Sequence, residues 1–351
     1  MTAFLIYGAT GYTGRLAAEH AAARGLRPVL AGRSRESVAR LARELGLDWR
    51  AFDLGSPAEV AAGIRGMTAV LHAAGPFSET SRPMADACLH SGIHYVDITG
   101  EIDVFEALAA RDAEAKAAGV MLLPGAGFDV VPSDCLAAHV ARRLPGATRL
   151  RLSIKTGGGL SRGTAKTSLE GAGRGTRVRR GGRIVELPSA PRATVDFGSG
   201  PRPVIGLSWG DVATAWRSTG IPDIEVYFRL TPMLTRVAGA PRPLRRLLAT
   251  GIARRILRRL IETRLPPGPT PERRARARCV LLAEAWNATG SRVASRLETK
   301  EAYTLTAWTA IEIARRAAAG EVMPGYQTPS SAFGPDFILS FDGTTRVDLP
   351  V

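Results

Sequence analysis

Ile6-Tyr7-Gly8-Ala9-Thr10-Gly11-Tyr12-Thr13-Gly14-Arg15 constrains the fold of this 351-residue chain more tightly than any other stretch. The apolar run Phe4-Leu5-Ile6-Tyr7 stops at Gly8, and the alanine-rich segment from Leu16 to Arg24 carries no helix breaker until Gly25. That order predicts a strand, a tight glycine turn and a helix. Three glycines at such a junction have separate roles. One permits the turn, one lets backbone approach a pyrophosphate, and one lets helix and strand pack closely, with phosphate on the helix N-terminus. The spacing is GxxGxxG, which a glycine-rich turn of any βα unit can also show.

Arg27-Pro28-Val29-Leu30-Ala31-Gly32 reads as a second strand that ends at Arg33-Ser34-Arg35. A dinucleotide fold meets the adenosine ribose there, and a site for the unphosphorylated cofactor would place Asp or Glu near this point to bond the 2′-hydroxyl. Two arginines and a serine stand instead. A guanidinium pairs bidentately with a phosphate and stacks on adenine, so Arg33 and Ser34 point to NADP(H). The plainer alternative is that the arginines only solubilise a helix start.

Helical spacing of Val38, Leu41, Ala42 and Leu45 predicts a helix over 36–45. A third strand over Trp49–Leu54 would bring Asp53 and Leu54 to the adenine. A helix over Pro57–Ile64 and a strand over Ala69–Ala74 lead to Ala74-Gly75-Pro76-Phe77. Strands alternating with helices at this interval imply a doubly wound parallel sheet, whose ligands lie beyond the carboxyl ends of the strands. The loop Ala74-Gly75-Pro76-Phe77 falls there, beside the nicotinamide half of a cofactor. Helices over Thr80–Ser91 and Val104–Ala118 flank a strand over His94–Glu101 whose end carries polar groups, and a further strand ends at Leu123. Asp97, Glu101 and Asp129 thus reach one rim. A partly desolvated carboxyl there acts as a general acid; equally, such acids cap helices and close loops, as Asp134 is expected to do.

From Thr148 the pattern changes. Arg149-Leu150-Arg151-Leu152-Ser153-Ile154-Lys155 alternates strictly, which predicts a sheet with one wet face. The fold class expected is α/β: an N-terminal Rossmann-type doubly wound parallel sheet over 1–134, then a second α+β domain over 135–351 on a mainly antiparallel sheet. A segment from about 303 to 351 is a candidate to pack back on the first domain. Glycine-rich Gly157–Gly182 is either a connection or, through Thr164 and Lys166, a site for an anionic group. Arginines alternating with Leu and Ile over Pro241–Arg264 form a basic amphipathic stripe that packs internally or docks on a membrane surface or an acidic protein.

The net charge of +15 comes from arginine, since only Lys116, Lys155, Lys166 and Lys300 are lysines among 47 basic residues. Without an aromatic-basic surface motif this skew is no argument for nucleic acid. Cys88, Cys135 and Cys279 are an odd number, far apart, and indicate neither a disulfide framework nor a metal site. No apolar run approaches a membrane span and the N-terminus lacks a charged leader, so a cytoplasmic protein is expected.

Gly8–Gly14, Ala31-Gly32-Arg33-Ser34, Ala74–Phe77, Tyr95–Glu101 and Gly127–Asp134 together resemble the saccharopine dehydrogenase NADP-binding family. The likeness continues through Gly210-Asp211-Val212, Ser218–Pro222 and Thr328–Gly334. It is closest to compact bacterial members, whose relatives include trans-acting enoyl reductases. The resemblance implies NADPH held by Gly8, Thr10, Gly11, Tyr12, Thr13, Gly14, Arg33 and Ser34. It implies that Gly75-Pro76-Phe77 and Phe128-Asp129 flank the nicotinamide, with a substrate cleft between the domains. A short-chain dehydrogenase would need Tyr followed four residues later by Lys, and no tyrosine of this chain has that lysine.

The expected function is NADPH-dependent reduction of a C=N or conjugated C=C bond, with Asp129 the first choice of proton donor and Asp97 the next. The substrate is small or tethered to an acyl carrier, and a homodimer is expected. The alternatives are an enoyl reductase acting in trans on carrier-bound chains, and an NADP(H)-binding sensor or scaffold without turnover.

Overall fold

Six short strands and their crossover helices fill the first 143 residues. The computed structural model describes residues 3–157, 175–230, 259–260, 263–264 and 266–350. In chain order the elements are β1 (Phe4–Tyr7), α1 (Tyr12–Ala23), β2 (Val29–Gly32), α2 (Arg35–Leu45), β3 (Trp49–Ala51) and α3 (Pro57–Ile64). Then come β4 (Ala69–His72), α4 (Phe77–Ser91), β5 (His94–Asp97), α5 (Ile102–Ala109), α6 (Asp112–Ala117), β6 (Met121–Leu123) and α7 (Val131–Arg143). The strands lie parallel in the order β6-β5-β4-β1-β2-β3. Every residue of β1 and β4 is buried, as strands covered on both faces require. Ser34 and Ser56 cap α2 and α3 by accepting the N–H three residues on, and Gly46 closes α2 in the left-handed conformation.

Three local expectations are corrected. β3 stops at Ala51 instead of Leu54, because Asp53 turns the chain by accepting the Gly55 N–H at 2.8 Å. The helix expected from Thr80 begins at Phe77. The single helix expected over Val104–Ala118 breaks into α5 and α6, which frees Asp112 to accept the Tyr326 N–H at 2.9 Å.

The chain continues with β7 (Ala147–Lys155), β8 (Thr176–Arg180), β9 (Arg183–Leu187), β10 (Arg192–Asp196), β11 (Pro201–Gly206), α8 (Asp211–Thr219) and β12 (Asp223–Arg229). After α9 (Pro271–Arg276), β13 (Arg278–Asn287) and β14 (Arg292–Lys300) form a long hairpin. β8 lies inside the glycine-rich segment that the sequence left open as a connection; it pairs with β9 and β12. The rest of that segment, with Thr164 and Lys166, and most of the basic stretch 241–264 lie outside the described residues.

The last elements are α10 (Ala302–Ala318), β15 (Gly325–Tyr326), α11 (Pro329–Phe333) and β16 (Thr345–Leu349). β15 extends the first sheet beside β6, and β16 extends the second beside β14. The chain therefore divides into two units: residues 1–135 with 302–342, and residues 136–301 with 343–351. Residues 302–342 return to the first unit, and 343–351 do not follow them.

The second sheet runs β10-β11-β12-β7-β13-β14-β16, antiparallel except for the β12–β7 pair. Leu150, Leu152 and Ile154 bury one face of β7 as the alternation predicts. On the other face, Arg151 pairs with Glu284 and Arg149 with Glu225. That face is not wet throughout. Ser153 is buried, in register with Tyr227 and Leu282, which belong to a cluster with Val195, Phe197, Val204 and Val280. No helix among the described residues is long and apolar enough to cross a membrane.

Candidate cofactor and active site

The turn after β1 is built for backbone, not side chains. Gly8 has φ +84°, and its N–H reaches Ala31 O at 2.8 Å across the sheet. A Cβ on Gly8 would stand 2.8 Å from the Ala73 carbonyl carbon and the Ala74 nitrogen, and a Cβ on Gly14 would overlap Gly8 O. These two glycines seat α1 against β1 and β4. Gly11 is the N-cap of α1, exposed, where a Cβ would meet only Gly8 O at 3.3 Å. The first turn of α1, Tyr12, Thr13 and Gly14, follows without any side-chain cap, so its N–H groups lack intrahelical acceptors. With exposed Thr10 beside it, this turn has the open N–H groups that a diphosphate would need.

At the carboxyl end of β2 the two arginines separate. Arg35 stacks over Trp49 at 5.3 Å from the ring centroid, whereas exposed Arg33 makes no hydrogen bond or ion pair to a described residue. Ser34 uses its hydroxyl to cap α2. Exposed Asp53 and half-buried Leu54 follow β3, on the next strand. Arg33 is thus the side chain available to a 2′-phosphate.

After β4, the Gly75–Pro76 bond is cis and Phe77 opens α4. The cap that the local sequence lacks comes from Glu101, whose carboxylate accepts the N–H of Phe77 at 3.0 Å and of Ser78 at 2.8 Å. Thr80 Oγ1 lies 2.6 Å from Ala74 O and 2.9 Å from Pro76 O, and it also meets His72 Nε2 at 3.0 Å. The hydroxyl proton serves a carbonyl, so Nε2 is assigned as the protonated nitrogen of His72. Its Nδ1 is buried without a partner, and burial pushes the imidazole down to about 3, which keeps it neutral. The Phe77 ring packs edge-on against it at 5.4 Å. Phe77 therefore anchors the loop through its side chain, and Ala74, Gly75 and Pro76 form the loop's surface.

Asp97 and Asp129 lie in different surroundings. Asp97, at the end of β5 and fully buried, accepts from Tyr95 OH at 2.7 Å and from the N–H groups of Thr99 and Gly125, each at 2.9 Å. Burial raises it to about 6 against these stabilising bonds. Asp129 follows β6, retains some exposure, and is raised by burial to about 6. A Cβ on Gly100 would stand 2.8 Å from Asp129 Oδ2, so the loop after β5 makes room for this carboxyl. Phe128 is buried, and its N–H is held by Thr306 Oγ1 on α10 at 2.9 Å.

One sheet edge carries all of these groups. Asp53 and Leu54, Arg33 and Ser34, the Gly8–Gly14 turn, Ala74–Phe77, Asp97 and Phe128–Asp129 follow β3, β2, β1, β4, β5 and β6, which are neighbours in that order. Adjacent strands lie about 4.8 Å apart, so the row spans an extended dinucleotide with the acids at one end and Arg33 towards the other. The chain order reverses between β1 and β4, where such sheets bind ligands. A groove of about 540 Å³ lined by Val29, Leu47, Trp49 and Arg50 opens at the opposite ends of β2 and β3. Sequence reasoning missed Tyr303, Thr306 and Thr309 on α10. Tyr303 packs edge-on against Tyr12 at 5.2 Å, and Thr309 Oγ1 donates to Ala126 O at 2.7 Å.

Residues 4–123 match the family described as Saccharopine dehydrogenase NADP binding domain. A trans-acting enoyl reductase of Mycobacterium leprae (strain TN) is 34% identical over 148 residues, covering 40% of this chain and 35% of that protein. A saccharopine dehydrogenase-like oxidoreductase of Homo sapiens is 29% identical over 216 residues, 53% of this chain and 50% of that protein. The chain thus spans between 35% and 50% of the length of these curated relatives. The solved structure of apo saccharopine dehydrogenase (L-Glu forming) from Saccharomyces cerevisiae has a TM-score of 0.68 over 99% of this chain and 100% of that one. At 10% identity that is a likeness of fold.

Proposed function

We propose that the protein is an NADPH-dependent oxidoreductase, a reading supported by the match of residues 4–123 to the saccharopine dehydrogenase NADP binding domain. It reduces a C=N or conjugated C=C bond of a small or carrier-tethered substrate. The observation that carries the reading is the row of strand ends, which runs from Arg33 through the glycine cradle to a carboxyl raised to about 6 at Asp129.

NADPH, when bound, supplies the hydride. The chain's own residues do the rest. The uncapped first turn of α1 receives the diphosphate, and Arg33 receives the 2′-phosphate. The Ala74–Pro76 loop, braced by Glu101 and Thr80, supports the nicotinamide end. Asp129 holds a proton in a large fraction of molecules near pH 6 and delivers it to the substrate atom that does not take the hydride. Asp97, with Tyr95 OH and two backbone N–H groups on its carboxylate, braces the loop that carries Asp129.

A second reading is favoured by the name of the mycobacterial relative: an enoyl reductase working in trans on carrier-bound acyl chains. Single-turnover transfer from 4-deuterated NADPH separates the two. Deuterium on a carbon bearing nitrogen, from amino acid and keto acid pairs, supports the imine reading. Deuterium at the β-carbon of an enoyl thioester on an acyl carrier protein supports the enoyl reading. If NADPH binds, neither substrate set is labelled and Asp129→Asn changes nothing, the chain is an NADP(H) sensor or scaffold. A cytoplasmic homodimer belongs to the same proposal and is tested by light scattering and cell fractionation.

A further inference from the structure

α10 reaches both the Ala126–Phe128 loop and the glycine turn from within the first unit. Its residue Thr306 accepts the Phe128 N–H at 2.9 Å while its hydroxyl lies 2.8 Å from Ala302 O, one turn back, as donor. Cγ2 of the same side chain lies 2.8 Å from where a Cβ on Gly127 would stand. Thr309, three residues on, donates to Ala126 O, and Tyr303, three residues back, packs edge-on against Tyr12 of the glycine turn. Residues spaced by three share one side of a helix. A single helix face therefore grips residues 126–128 and touches the first turn of α1.

A threonine inside a helix commonly bonds back to the carbonyl four residues earlier and does nothing more. Thr306 also accepts a non-helical N–H 178 residues away in the chain. Phe128 is buried, so without that oxygen its N–H has lost its partner away from water. The next residue is Asp129, whose carboxyl fits into the space left by Gly100.

We propose that Thr306 is a positioning residue for Asp129: its hydroxyl fixes the Phe128 backbone, and through it the direction in which the neighbouring carboxyl points into the site. This rests on the reading of Asp129 as proton donor. The hydroxyl is the device; the methyl group only occupies space that a Cβ on Gly127 would need.

The test is the carboxyl titration of Asp129, followed by ¹³C NMR on the full chain with and without NADPH and assigned against Asp129→Asn. In Thr306→Val the side chain keeps its shape and loses the oxygen. The expected result is a midpoint that falls from about 6 towards the ordinary carboxylate value of about 4, as the loop relaxes and water reaches the carboxyl. Thr306→Ser should return the midpoint to that of the parent, and NADPH affinity should stay within about twofold in both variants. An unchanged midpoint in Thr306→Val, or equal shifts in the valine and serine variants, overturns the proposal. Should the valine variant not fold, Thr306→Ala removes the oxygen with less to accommodate and is read the same way. Undiminished turnover in Asp129→Asn would end the donor assignment alone, because the titration does not depend on turnover.

Discussion

The Glu101 carboxylate accepts the Phe77 N–H at 3.0 Å, so a side chain from the loop after β5 caps the helix that follows β4. Its second oxygen takes the Ser78 N–H at 2.8 Å, which satisfies two of the donors that every helix start leaves open. Glu101→Gln turns an NH₂ group towards one of them. A loss of about 1–2 kcal/mol is expected, read as a lower urea midpoint with unchanged m. If the variant is as stable as the parent, α4 does not depend on this cap.

Arg33 and Arg35 are two residues apart and should behave differently. Arg33→Ala is expected to weaken NADPH binding by about 10- to 100-fold and leave NADH binding unchanged, because a charge-assisted pair with the 2′-phosphate is lost. Arg35→Ala should change NADPH binding less than about threefold, since that guanidinium rests on Trp49. Calorimetric titration of each variant with both cofactors decides the matter, and equal losses would remove Arg33 from its role.

The acids fix a pH dependence with a definite sign. Asp129 is raised from 3.8 to about 6, so the protonated donor is depleted as pH rises through 6. The single-turnover rate should fall towards tenfold per pH unit above that point, and Asp129→Asn should be slow and flat. Stability follows the same linkage. A carboxyl whose folded value is raised contributes its stability fully below about pH 4 and loses it as pH passes 6. His72, lowered from 6.5 to about 3, does the reverse: its contribution is present above 6.5 and is lost as pH falls towards 3. Asp129→Asn should therefore decline less in stability than the parent between pH 4 and pH 7; thermal melts across that range showing the same slope for both would contradict the assignment.

Gly14→Ala places a methyl group on Gly8 O, in a turn closed on both sides by β1 and β4. Destabilisation of about 1–3 kcal/mol is expected together with loss of NADPH binding, because α1 must move away from the cradle. Gly25→Ala, where a Cβ meets nothing within 4 Å but φ is +73°, is the control: strained and less stable, yet cofactor-competent. Binding retained by Gly14→Ala would show that the close approach is not needed.

The parallel sheet and the positions of its ligand loops follow from local rules. Buried strands such as Phe4–Tyr7 are written as continuous apolar runs, and the close approach of Gly11 and Gly14 to Gly8 is confined to seven residues, although Gly8 itself also packs on Ala73 and Ala74. The N-caps Ser34 and Ser56 are equally local. For these, each residue's nearest chain neighbours supply the physics, and the sequence by itself determines the outcome.

What only the tertiary structure decided involves partners far apart in the chain. No local pattern tells Arg33 from Arg35; the indole of Trp49 does. Asp97 and Asp129 both stand at strand ends and are both raised to about 6, yet one is enclosed by Tyr95, Thr99 and Gly125 and the other fits beside Gly100. Ser153 lies on the face that alternation marks as wet, and a cluster including Tyr227 and Leu282 buries it. α10 is legible as a helix, but its grip on Phe128 spans 178 residues. A hydrogen bond between distant residues depends on chain closure, and periodicity carries no record of it.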